Sequence, residues 1–526
     1  MIGSRGGSWS TLVLLLFSCA APESTSSPDS DVESSDRALP KDAASTISEE
    51  AIQWFALESA TFEVARQHDK LVLLFITAPW SGADPLATMD PALKALVENR
   101  FVPVRVDPLR RPDITRRYAP AGWPALAVTL PDGRPAAIAT DIPDANIHGY
   151  LLSLANHFRD RRGEVTKRVA TSWTTSAKGS SARTGVPIAV ESLYKGIVAD
   201  HDSVYGGFGS GAKFPETQVL RFLLSYYESH GDTKALSIAK QGLSRLNSAP
   251  MWDEQVGGVQ SYSFTPDWLS PIREKDAADQ AGLLEALLKV QQLTDDASIA
   301  PVARLLSYIR AELFDVERGV FFGRQVRSRP GVDPTWWTDP TVYTDRNALL
   351  ILACLQAARA ETEGPGSQDM ALAAATYMME ECVRQDGAVY HYVTESGPQL
   401  PGLLDNQMLA ALALWEAYQL SAREEFASAA RQIVRWTETN LYDHKNGAFV
   451  DSPEDSPIPT WRPTMKFADE TVPAGNASAA RLYLRMGEGE GIVSRLLSSR
   501  LFDPAVPKRA YASYGRAILQ QREAAR

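Results

Sequence analysis

The chain is 526 residues long, with 53 Lys+Arg against 64 Asp+Glu and a formal net charge of −11. That length predicts two to four domains, and 44% apolar residues exclude wholesale disorder. An acidic chain without a basic block argues against a nucleic-acid partner, and Cys19, Cys354 and Cys382 can build neither a disulfide framework nor a Cys-x-x-Cys site.

In chain order, residues 1–19 read as a signal peptide. One cation, Arg5, precedes a short apolar run, Trp9 to Phe17, too short to span a bilayer. The run ends in Leu16-Phe17-Ser18-Cys19, which resembles a bacterial lipobox and makes Cys19 the expected lipidated residue. Ordinary secretory cleavage near Ala20 or Ala21 is the alternative. The expected location is therefore an anchored lipoprotein facing the periplasm or the outside, with secretion as second choice. Residues 20–48, rich in Ser, Asp and Pro, cannot bury enough surface to offset their ordering entropy and read as a disordered tether.

Residues 49–160 alternate in a β-α-β-α-β-β-α order. A helical stretch around Glu58 to His68 precedes the buried-strand run Leu71–Ile76. A helix from Pro85, a strand Phe101–Val106, a strand Ala125–Leu130, the turn Asp132-Gly133 and a helix Asp144–Phe158 follow. This is the order of a thioredoxin-like fold, with Pro124 where that fold keeps a cis proline. Trp80, Ser81 and Asp84 occupy the redox position, where thioredoxins carry Trp-Cys-Gly-x-Cys. Thiol–disulfide exchange needs a thiolate and a resolving thiol, so this degenerate motif excludes it. Asp84 suits an N-cap with Pro85 at the first helical position; a polar binding spot at the helix start is the alternative.

Residues 161–187, rich in Ser, Thr and Gly, read as a linker. Residues 188–526 are overwhelmingly helical, about a dozen helices by apolar spacing. A Gly-apolar turn recurs at 207, 258, 319, 387 and 447, with steps of 51, 61, 68 and 60 residues. Each step holds two helices and a turn, so six hairpins closed into a ring predict an (α/α)6 toroid. The expected fold class is α+β multidomain: a thioredoxin-like α/β domain followed by that toroid.

The two parts, in this order, resemble the spermatogenesis-associated protein 20 family, a thioredoxin-like domain fused to a toroid related to six-hairpin glycosidases and N-acylglucosamine 2-epimerases. The motifs that carry the resemblance are Val106-Asp107-Pro108, Gly122-Trp123-Pro124, Leu130-Pro131-Asp132-Gly133, Gly206-Gly207-Phe208-Gly209, Lys213-Phe214-Pro215, Gly402-Leu403-Leu404-Asp405 and Pro473-Ala474-Gly475-Asn476. The family's Cys-His-Trp-Cys-His is gone, and three toroid histidines of the family pattern are Glu254, Gln260 and Ile272 here. Imidazole acid/base chemistry of the kind used by the related epimerases loses its groups.

The resemblance places pocket candidates on the loops and helix ends that carry these motifs. Asp253, Glu254, Glu274, Asp279 and Asp405 are the candidate catalytic acids, since glycoside hydrolysis needs two carboxyls, one held protonated. Phe214, Trp252, Tyr262, Trp268, Trp336 and Trp337 offer flat faces for sugar rings; Lys275, Arg462, Asp469 and Asn476 complete the binding set. Against this stand structural readings: Glu274 with Lys275 and Arg462 with Asp469 as helix-tying ion pairs, the aromatics as core, and Asn476 as a helix-start cap. The seven histidines lack metal-ligand spacing and Gly207–Gly211 follows no strand, so no metal or cofactor is expected. Two functions remain: an anchored binding protein for a saccharide or protein partner, touching membrane only through its lipid, or a carboxylate-based hydrolase or sugar isomerase.

Overall fold

The computed structural model describes residues 52–80, 91–140, 144–181, 189–248, 250–294, 302–327, 336–360, 366–498, 503 and 506–525. The leader, Cys19, the tether, Ser81, Asp84 and the helix start at Pro85 lie outside these residues. Two compact units divide the chain. Residues up to Gly179 with Asp455–Arg462 form unit 1, and Ser180–Glu454 with Pro463–Arg526 form unit 2.

Unit 1 is built from α1 (Ser59–Gln67), β1 (Leu71–Ile76), α2 (Pro91–Arg100), β2 (Phe101–Val106), α3 (Pro112–Tyr118), β3 (Ala125–Thr129), β4 (Pro135–Thr140), α4 (Asp144–Asp160) and α5 (Arg162–Ser181). The sheet order is β2-β1-β3-β4; β1 and β2 are parallel, and β3 and β4 run antiparallel to their neighbours. Because strand side chains alternate, β1 supplies both faces. Leu71, Leu73 and Phe75 join one core with α2 and α4, while Val72, Leu74 and Ile76 join the other with α1 and α3. That is why β1 is an unbroken apolar run.

Residues 162–181 depart from the linker expected of them and form a helix. Val165 and Val169, one turn apart, are buried beside Leu151, Ala155 and Phe158, and this packing outweighs a composition rich in Ser and Thr. The peptide Asp455–Arg462 is equally integral to unit 1. Ile458 is buried with Phe62 and Tyr118, and the Thr460 amide and hydroxyl both donate to the Asp132 carbonyl, at 3.2 and 2.8 Å. Gly133, at φ +87°, has no room for a Cβ against Ile458. The Arg117 guanidinium lies 3.9 Å over the Trp461 ring.

Unit 2 contains, among the described residues, α6 (Val190–Asp200), α7 (Thr217–His230), α8 (Thr233–Leu246), α9 (Ala277–Leu293), α10 (Val302–Tyr308), α11 (Thr344–Arg359), α12 (Ser367–Tyr377), α13 (Leu404–Ser421), α14 (Glu424–Leu441), α15 (Gly475–Met486), α16 (Glu490–Leu497) and α17 (Ala512–Ala524). Helices α7, α9, α11, α13, α15 and α17 each pack on the next, and α17 returns to α7, so the inner ring closes. Outer helices α8, α10, α12, α14 and α16 back their predecessors, and α6 backs α17. Inner helices are buried nearly all round: in α13 every residue from Leu404 to Ala417 is buried. This is an (α/α)6 toroid whose sixth hairpin joins the first and last helices of the unit.

Candidate functional site

In unit 1 the register pairs Ile76 with Ala125, which sets the end of β1 beside the loop holding the cis peptide Trp123-Pro124. Trp80 is half-buried at that end. The two described cysteines belong to unit 2. Cys354 on α11 and Cys382 are fully buried, and burial pushes both thiols up to about 12.

Unit 2 is organised by one turn, used repeatedly. Asp202, Asp253, Asp315 and Asp443 each accept, through Oδ1, from the amides two and three residues ahead. Their carbonyls accept from the amides of Gly206, Gly257, Gly319 and Gly447, which hold positive φ. Such Asx turns need Asp at the start and Gly at the exit. An amide side chain at the start of the next inner helix clamps three of these turns and the Gly387 turn. Gln280 on α9 accepts from and donates to the Val259 backbone at 2.9 and 2.8 Å. Asn347 on α11 does the same to Phe321 at 2.9 and 2.7 Å, and Asn476 on α15 to Phe449 at 2.9 and 2.9 Å. Gln407 on α13 accepts from the Val389 amide and donates to the Gly387 carbonyl. Asn476 is therefore a bridge between two hairpins, not a helix-start cap.

The acids separate into different roles. Asp253 starts its turn and takes a 3.0 Å bond from the buried Lys275, whose Nζ also donates to the Gly257 carbonyl and sits 3.9 Å over the Trp336 ring. Lys213 repeats the arrangement with Asp202 one hairpin earlier. Glu254 is exposed and pairs with Arg304. Glu274 pairs with Arg324 at 3.1 Å, not with Lys275. Asp405 accepts from the Gly475 amide at 2.8 Å, tying α13 to α15.

Asp279 is different. It lies on the first turn of α9, 8% exposed, and makes no hydrogen bond or ion pair among the described residues. One turn before it, Asp276 caps α9 and is held by Arg324 at 2.7 Å and Arg346 at 3.4 Å; Arg346 also binds Asp345 at 2.7 Å. Burial would raise the Asp276 carboxyl, yet Arg346 and Arg324 outweigh it and keep it below the usual range. For Asp279, burial leads and the Asp276 charge adds to it, so its carboxyl sits well above the usual range. The arrangement sets a carboxyl that holds its proton more firmly than usual beside one that gives its proton up more readily.

The remaining candidates scatter. Phe214 and Tyr262 stack at 5.3 Å, with Phe264 edge-on to Tyr262. Trp252 and Trp268 are core residues: Trp252 is 1% exposed, and Trp268 fills the space beside Gly207 and donates to the Tyr205 carbonyl. Trp336 is half-buried and Trp337 exposed. Arg462 belongs to unit 1, where its carbonyl accepts from Arg117. It has no bond with Asp469, which instead accepts from Ser513 and the Ala474 amide, joining α15 and α17. Burial pushes Asp469 up to about 6. Asp276, Arg324 and Arg346 carry no sequence signal, because 48 and 70 residues separate the arginines from the aspartate they share. No group of three His, Cys, Asp or Glu is placed to hold a metal among the described residues.

The family model described as "Protein of unknown function, DUF255" (Thioredox_DsbH) matches residues 44–177. Spermatogenesis-associated protein 20 of Homo sapiens is 25% identical over 309 residues, which is 53% of this chain and 39% of that protein. A D-mannose isomerase structure covers 64% of this chain and is itself covered to 96%, at a TM-score of 0.50 and 13% identity. The cellobiose 2-epimerase from Spirochaeta thermophila covers 63% and is covered to 94%, at 0.50 and 14%. At such identity the two enzymes show the fold alone.

Proposed function

This chain is a divergent member of the spermatogenesis-associated protein 20-like family, which joins a thioredoxin-like domain to a six-hairpin toroid, and from that premise we propose a non-redox binding protein whose toroid holds a saccharide. One observation carries the reading. Of the five acids that could form a hydrolytic pair, Asp253, Glu254, Glu274 and Asp405 are each committed to an ion pair or a backbone amide, and only Asp279 is uncommitted. A carboxylate-pair hydrolysis needs two. A ring of this fold lends itself to sugars, as the D-mannose isomerase and the cellobiose 2-epimerase illustrate by their own names. Unit 1, with no cysteine in residues 20–353, acts without thiol exchange. Export as a lipoprotein through Cys19 completes the proposal; mass analysis of the mature N-terminus and a Cys19→Ala variant test it.

A second reading has its own support. Asp279, buried without an ion pair one turn from the arginine-held Asp276 and with its carboxyl raised, suits a general acid or a proton carrier in isomerisation. The experiment offers the purified protein a panel of sugars and oligosaccharides and reads binding, bond cleavage and solvent-deuterium uptake together. The binding proposal expects saturable binding without turnover. Turnover lost at least about 100-fold in Asp279→Asn would replace it with the enzyme, and no binding to any sugar would remove both.

A further inference from the structure

We propose that the interior of unit 2 carries a binding site for a small oxyanion, with the guanidinium groups of Arg221, Arg481 and Arg516 as its donors. Three neighbouring inner helices repeat one polar-x-x-Arg pattern: Gln218 and Arg221 on α7, Ser478 and Arg481 on α15, Ser513 and Arg516 on α17. Residues three apart share a helix face, and α15, α17 and α7 are consecutive around the ring, so the pattern recurs in adjacent positions.

The charges there do not balance. Glu285, reaching in from α9, binds Arg221 and stands 3.9 Å from Arg516, so one carboxylate serves two guanidiniums. The carboxylate whose charge acts on Arg481 is Glu416, which already pairs with Arg359 and Arg485. The other carboxylate facing the cluster, Asp469, is engaged by Ser513 and the Ala474 amide.

Donors are left over as well. Arg221 is 4% exposed, and its Nε has no hydrogen-bond partner. Arg516 Nη1 and the fully buried Ser478 hydroxyl also lack one. A buried donor without an acceptor is costly, and an uncompensated buried charge more so. In keeping with this, burial, reinforced by neighbouring guanidiniums, holds Arg221 and Arg516 well below the usual arginine range. Arg481 and Arg516 keep partial exposure although both stand on inner-ring helices. Planar forks with spare N–H groups match phosphate, sulfate or carboxylate oxygens, either of a free ion or of an acidic group on a larger ligand.

The site stands apart from the saccharide reading, because neutral sugars have no part in it. The test titrates the full chain, at fixed ionic strength made up with chloride, with inorganic phosphate, sulfate, acetate and glucose 6-phosphate. Calorimetry and thermal unfolding are read together. A saturable signal with at least one oxyanion, and a melting temperature that rises with it, are expected. Affinity should fall at least tenfold in Arg516→Gln and again in Arg481→Gln, both of which should fold, since each removes an underpaired charge. Preference for glucose 6-phosphate over phosphate assigns the site to the charged end of a larger ligand, and equal affinity assigns it to the free ion. No saturable effect with any of the four, an equal effect of chloride, or full affinity retained in the Arg481→Gln, Arg516→Gln double variant overturns the proposal.

Discussion

Unit 1 and unit 2 are held together by different means. Unit 1 encloses its sheet between two apolar layers, and its buried polar side chains among the described residues are Thr61, Thr77, Asp113 and Thr129. Unit 2 buries whole ions and amides, from Lys213 and Lys275 through Asp276, Arg324 and Arg346 to the clamps Gln280, Asn347, Gln407 and Asn476. The contrast teaches where each fold keeps its specification. A sheet between apolar layers is specified by hydropathy, whereas a ring of similar hairpins must fix each hairpin to the next, and directional hydrogen bonds do that.

Substitutions in the two units should differ in cost accordingly. The largest effect is expected at Gly387→Ala. The residue holds φ +100°, and an added Cβ would stand 2.6 Å from the Gln432 carbonyl oxygen, so a loss of roughly 4 kcal/mol in urea unfolding is expected. Asn347→Leu comes next. It strands the buried amide and carbonyl of Phe321, and about 3 kcal/mol should be lost, with hydrogen exchange at Phe321 accelerating before the rest of unit 2. A loss under 1 kcal/mol would refute the view that amide clamps hold the ring.

Asp469 sharpens the contrast through pH. Its carboxyl is raised to about 6 in the fold, above the unfolded value near 3.8, so the folded state holds the proton more tightly. The stabilisation is fully present below the unfolded value and is lost as pH rises through about 6. Wild-type stability should fall by about 2–3 kcal/mol between pH 4 and 7 relative to Asp469→Asn, measured by denaturant midpoints across that range. The smallest effect is expected in unit 1. Tyr118→Phe removes a 2.7 Å bond to the Gly133 carbonyl but leaves the ring packed, at a cost of about 1 kcal/mol.

The same contrast decides what could be read in advance. The strands at Leu71 and Phe101 lie where their apolar runs put them, because a strand buried on both faces has no polar positions to blur it. Helix α5 escaped because two valines among polar neighbours are enough once they meet a core. In unit 2 the recurring glycines mark the turns, yet glycine alone does not disclose the aspartate four residues before Gly206, Gly257, Gly319 and Gly447. The acids were visible as residue types only. Whether Asp253 is a turn former or Asp279 an uncommitted acid depends on Lys275, Arg324 and Arg346, which folding brings close and sequence spacing does not.

Closure of the ring by α6 and α17 sets a timetable. Ser192 and Lys508, bonded at 2.9 Å, lie 316 residues apart, so during synthesis α6 and α7 wait for the last helix to leave the ribosome. Until then the nascent toroid is an open arc with apolar margins, a natural client for chaperones and a target for proteases.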